Sequence, residues 1–183
     1  DNSGFTGEAK VAAGTLEVTS ANALGSASKV DLGTSGNSTA ATLKVNSSGA
    51  TQISTNINAL SSGIAGNIIQ NAGAGALTLS GNLTKNGTVL TLAGGSAGIT
   101  VSGVIGGASA NSDLVISGGT TTLTNVNTYN GPTYVNGGGT LVNGNASGAL
   151  PTGTNLVLGA GTTSGTFNLN GNSQTVANLN SSG

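Results

Sequence analysis

Ala23–Gly33 reads ALGSASKVDLG and Ala149–Gly159 reads ALPTGTNLVLG, and the comparison of these two stretches decides the fold. Aligned without a gap they agree at four of eleven positions. Val30 and Leu32 fall on Leu156 and Leu158, while Asp31 falls on Val157. Two apolar residues flanking a position that takes either a carboxylate or an isopropyl group describe a period-two strand with one face turned inward. Position 31 is accordingly expected to stand open to solvent.

The likeness extends outward from this block. Phe5 to Gly63 and Tyr129 to Gly183 are two copies of one pattern: FTGEAKVAAGTLEV answers YNGPTYVNGGGTLVN, TLKVNSSGATQI answers TFNLNGNSQTV, and both copies close on Ser-Ser-Gly. Residues 64–128 connect them, so 1–183 reads as one repetitive segment, expected to be mature or part of a longer protein.

Strand units recur throughout, among them Leu77-Thr78-Leu79, Ile99-Thr100-Val101, Leu114-Val115-Ile116 and Phe167-Asn168-Leu169, and nearly all run into Gly, Asn or Ser. Those residues tolerate the positive φ of tight corners. Strands begin 9 to 15 residues apart, too close for crossover helices, and no helical stripe is present. A long period of strands, each too narrow to close a core alone, defines an all-β solenoid whose coils bury one another. With about 20 to 25 residues per coil it is a rod of about seven to nine coils, roughly 35 to 45 Å long.

Composition narrows the chemistry. The chain has no His, Cys, Met, Trp or Arg; its charges are Lys10, Lys29, Lys44, Lys85, Asp1, Glu8, Glu17, Asp31 and Asp113, a net −1. Such a balance supplies no steering field for nucleic acid or anionic lipid. No apolar run of about 18 residues exists to span a membrane as a helix. The absence of cysteine accords with secretion through a narrow pore.

The stretch ITVSGVIGGASANSDLVISGGTTTLTNVNTYNGPTYVNGGGTLVN, Ile99 to Asn143, resembles the autotransporter-associated β-strand repeat. Thr128, Tyr129, Gly131, Thr133, Val135, Gly138 or Gly139, and Leu141 occupy its motif positions, and the earlier copy keeps Phe5, Gly7, Val11, Gly14 and Leu16. The chain departs from the pattern at Pro132, in the extra Gly of Gly137-Gly138-Gly139, and at Phe5 in place of Tyr. The resemblance implies a passenger region of a type V-secreted bacterial surface protein, folded as a right-handed parallel β-helix outside the cell. It implies no ligand.

No catalytic, cofactor-binding or metal site is expected, and no enzyme activity. Glu17 and Asp31 are the nearest approach to a carboxylate pair, but the second copy has Val142 and Val157 there. Glu8, Lys10 and Lys29 likewise give way to Pro132, Tyr134 and Asn155, so these charges read as solvent-facing. Asp113 alone near a Gly-rich corner cannot build a calcium cage. Gly94-Gly95, Gly106-Gly107 and Gly137–Gly139 read as corners rather than phosphate cradles, because no helix follows them.

The sequons at Asn37, Asn46, Asn82, Asn86, Asn145 and Asn180 match by chance in so Asn-rich a chain. The Asn-Gly pairs at Asn86, Asn130, Asn136, Asn143 and Asn170 mark turns. Thr120–Thr122 with Thr124 reads as β-branched strand composition, with an outward Thr ladder as the alternative.

The expected role is structural: a stalk or spacer of a surface adhesin, with neighbouring repeats or copies of itself meeting its open ends. A self-assembling fibre subunit is the alternative. A glycan-binding module using Tyr129, Tyr134 or the few acids, directed at host or matrix glycans or proteins, is the second alternative.

Overall fold

The computed structural model describes residues 2, 4–35, 39–60, 66–109 and 112–181. Asp1, the sequon at Asn37, and the Ser-Ser-Gly ends of both copies apart from Ser181 lie outside them. Nineteen strands and no helix occur among the described residues, in three parallel sheets visited in turn.

The first face stacks β1 (Glu8–Val11), β3 (Lys29–Leu32), β6 (Ile57–Leu60), β9 (Leu83–Asn86) and β12 (Ile105–Gly106). The second stacks β2 (Gly14–Val18), β4 (Ala41–Val45), β7 (Asn67–Asn71), β10 (Leu90–Ala93), β13 (Leu114–Ser117), β15 (Thr133–Asn136), β17 (Asn155–Leu158) and β19 (Asn178–Ser181). The third stacks β5 (Thr51–Ile53), β8 (Leu77–Leu79), β11 (Ile99–Val101), β14 (Thr120–Leu123), β16 (Gly139–Asn143) and β18 (Gly165–Asn168).

Eight levels on the second face enclose seven turns, about 34 Å at about 4.8 Å per level. Coils run from 19 residues, Leu114 to Thr133, to 27, Val30 to Ile57. The chain is a β-solenoid, and among the described residues every pairing of the nineteen strands is parallel.

Period two fills the interior with aligned columns. On the second face Leu43, Ile69, Leu92, Ile116 and Val135 stack level upon level at 0% exposure. On the first face Val30, Ile57, Leu83 and Ile105 stack likewise, at 1% exposure or less. Each such side chain contributes about 1.5 to 3 kcal/mol by leaving water. Corners let the coils approach closely. Gly119 has φ +64, and a Cβ there would stand 1.9 Å from the Gly95 carbonyl oxygen.

The two copies keep their pairing and change their face. In the first, β1 pairs with β3 on the first face and β2 with β4 on the second. In the second, the equivalent β15 pairs with β17 on the second face and β16 with β18 on the third. The register survives: Leu16 opposes Leu43 as Leu141 opposes Phe167. In each copy the Ala-Leu segment replaces a strand with turns, pushing Leu24 or Leu150 into the core.

Position 31 is not open to solvent as the alternation implied. Asp31 points away from the core, as the alternation requires, but is only 5% exposed. Lys29, 2.8 Å away, and Asn58, also 2.8 Å away, cover it. A position on an outer face is closed to water when long neighbours fold over it.

Candidate functional site

Lys85 is the one lysine directed into the coil among the described residues. It shares the inward side of β9 with Leu83 and is 0% exposed. The next level up places Gly107 beside it, since Thr84 opposes Gly106. Above that comes Tyr129, whose neighbours Thr128 and Asn130 donate their N–H groups to the Ile105 and Gly107 carbonyls. Gly107 has no side chain, so the lysine stem crosses that level and sets its ammonium 3.9 Å from the centre of the Tyr129 ring. Lys85 Nζ donates to the Ser112 carbonyl, and Ser112 Oγ accepts from the Gly87 N–H at 3.1 Å.

Burial pushes the Lys85 amine down to about 7, against the opposing pull of the Asp113 carboxylate. Burial likewise raises Asp113, offset in part by Lys85. The Tyr129 hydroxyl is raised by its burial, although its contact with Thr133 lowers it. That hydroxyl lies 2.6 Å from Thr133 Oγ1, which lies 3.0 Å from Thr154 Oγ1, which donates to the Gly131 carbonyl at 2.9 Å. The cluster ties together segments from five stretches of chain, with its amine sealed from solvent. Its amine can hold or release a proton but lies out of a solute's reach.

Beyond Tyr129 the first face carries no strand, and a cleft of about 330 Å³ opens between Val126–Gly131 and Ser147–Thr154. Tyr129, 2% exposed, forms part of its floor. Tyr134 points outward from the second face, in register with Val115 and Val157. The two tyrosines therefore do not form one groove.

The charges of the first copy form two separate groups. Lys29 bridges Glu8 at 3.2 Å and Asp31 at 2.8 Å on the first face; Lys44 bridges Glu17 at 3.0 Å on the second. Glu17 and Asp31 are not brought together. Hydrogen bonds from Asn46 and Lys44 hold the Glu17 carboxyl below its usual range. Partial burial raises Asp31, but hydrogen bonds from Lys29 and Asn58 outweigh it and leave the carboxyl lowered. Asp31 and Glu8 hold the Lys29 ammonium above its usual range. Among the described residues no three acidic groups gather into a cation site.

The Thr run divides by parity. Thr121 is buried, and Thr122 faces out in a column with Thr100 and Thr78. Thr120, Thr140 and Thr166 form a second outward column. Gly95, Gly137 and Gly138 stand at corners with positive φ, whereas Gly106 ends β12 and Gly107 follows it in register over Lys85, so that pair is not the corner its sequence implied. Of the Asn-Gly pairs, Asn130 reaches back one coil to the Ala108 carbonyl and Asn143 donates to the Ser173 carbonyl. Sequence reasoning passed over Lys85. The signal was its phase in NLTKN, two residues after Leu83 and therefore on the same side.

The chain matches no family profile, no curated protein and no solved structure.

Proposed function

We propose that the chain is a rigid β-helical spacer of a secreted, surface-displayed bacterial protein of the autotransporter type, an adhesin-like stalk that carries out no catalysis. The observation that supports this reading is the continuous aliphatic column, flanked by three parallel ladders, over seven turns. Each level bonds to the levels above and below, so a force along the axis is shared by every strand of a level rather than by one. The Ile99–Asn143 motif supplies the secreted setting.

Placing the segment between a surface anchor and an epitope tag tests the role. Deleting coils should lower access of a bulky antibody to the tag while surface display holds; unchanged access would overturn the spacer reading.

A second reading, a self-assembling fibre subunit, is favoured by the distribution of charge. The ion-paired and exposed charges lie at residues 8–44, whereas the outer column Ile68, Thr91, Val115, Tyr134 and Val157 on the second face is uncharged. Concentration-dependent growth in sedimentation velocity supports it, and a single monomeric species at high concentration excludes it.

A further inference from the structure

The cleft beside Tyr129 follows from the sequence of its walls. Ala149 still accepts from Asn127, through both the backbone N–H and the side-chain amide. Pro151 then has no N–H to give, and the chain turns outward, closed by Thr154 N–H to the Pro151 carbonyl at 3.1 Å. Gln174 from the following coil replaces the missing strand: its amide accepts from Leu150 N–H and donates to the Leu150 carbonyl, both at 2.9 Å. The Tyr129–Thr133–Thr154–Gly131 chain of hydrogen bonds ties the two walls together. The opening is thus held in shape before anything enters it.

We propose that this cleft binds a neutral, hydroxyl-rich ligand of mono- or disaccharide size. Its volume of about 330 Å³ falls at the lower end of ligand sites, which run from about 300 Å³ upward. Its rim alternates exposed hydroxyls, Thr128 and Thr152, with apolar surface from Pro151 and Val126, the last 45% exposed. A sugar ring presents the same alternation of hydroxyl edges and C–H faces. None of the lining residues is ionisable apart from the buried Tyr129. A uronate or sialic acid would shed hydration there without gaining a counter-charge. Hydroxyl contacts exchange with water at little net gain and Tyr129 offers almost no ring face, so binding is in the millimolar range. This inference does not rest on the spacer reading, since a stalk or a fibre would carry the cleft equally.

Titration of the isotope-labelled full chain with glucose, galactose, N-acetylglucosamine and galacturonate, followed by amide chemical shifts, tests it. The neutral sugars should shift resonances of Val126–Gly131 and Ser147–Thr154 and saturate, while galacturonate should not. Gly153→Trp sets a bulky side chain on the cleft's lining, at a position where a Cβ meets nothing within 4 Å and the indole is free to cover the opening. It should weaken binding at least about tenfold. Gly49→Trp, equally unobstructed but on another part of the surface, should leave it unchanged. An otherwise preserved spectrum shows that the variants are folded. No shift with any neutral sugar at about 100 mM, equal binding of galacturonate, or shifts that survive Gly153→Trp would each overturn the proposal.

Discussion

The two copies differ most at positions where their surroundings differ. Both stack equivalent strands in the same register, yet the second copy lies one face further round the coil. Pairing is therefore local information, carried by which apolar residues oppose one another. The face is set by everything preceding, because each strandless turn or long coil shifts the count. Substitutions follow the new environments in groups. Phe5 and Ala9 of the first copy become Tyr129 and Thr133, and the hydroxyls arrive together as a hydrogen-bonded pair 2.6 Å apart. The charges at 8, 10, 17, 29 and 31 vanish together. Tyr129 has the buried lysine beneath it, and Phe5 does not.

The largest expected effect tests that last contrast. The Lys85 amine titrates at about 7 when folded against 10.5 when unfolded, so between those values the unfolded chain binds more protons. Stability should rise with pH from about 7 towards 10, by up to about 4 kcal/mol at about 1.4 kcal/mol per unit, and be flat in this group below 7. Lys29, raised in the first copy, acts in the opposite sense and only at higher pH. Asp113, also raised, contributes a falling slope that begins in acid. Urea unfolding across pH should show the rise in the wild type and not in Lys85→Met. A rise that survives the substitution would move its origin away from the Tyr129 level.

The rotation itself can be challenged at Gly165. Its equivalent in the first copy is Ala41, fully buried in the core, so the sequence alignment alone makes Gly165→Ala harmless. On the third face, however, a Cβ at 165 would stand 1.8 Å from the Val135 carbonyl oxygen. The backbone must shift, and the variant should lose about 2 to 3 kcal/mol. Ala41→Gly should lose about 1 kcal/mol. Thermal unfolding of the two variants gives the ranking, and an innocuous Gly165→Ala would mean that the two positions share one environment after all.

What the sequence disclosed follows from what periodicity measures. Alternation identified the inward Val30, Leu32 and Leu156 and the strands at Leu77, Ile99 and Leu114, and the internal copies implied stacked coils. Alternation assigns side, not coverage: it placed Asp31 outward correctly and its exposure wrongly, because Lys29 and Asn58 belong to other positions and levels. It also carries no information on which corner is met. The depth of Lys85 depends on Gly107 and Tyr129 lying above it, and those neighbours are 22 and 44 residues away along the chain. The cleft depends on Gln174 taking over from a strand, which no local pattern announces.

The smallest expected effect concerns the position that first exposed the repeat. Asp31→Val installs the residue of the second copy, removing an acceptor for Lys29 and Asn58. Lys29 keeps Glu8 at 3.2 Å, and its side chain is 39% exposed, so water replaces much of what is lost. A cost of about 1 kcal/mol at neutral pH is expected. The sign with pH is fixed by the lowered Asp31 carboxyl: its stabilisation is present above the ordinary 3.8 and disappears as pH falls through the folded value. Wild type and variant should therefore differ at pH 7 and converge in acid. A difference that persists undiminished to pH 2 would assign the effect to packing at this position, and with it would go the view that the first copy owes its distinct character to charge.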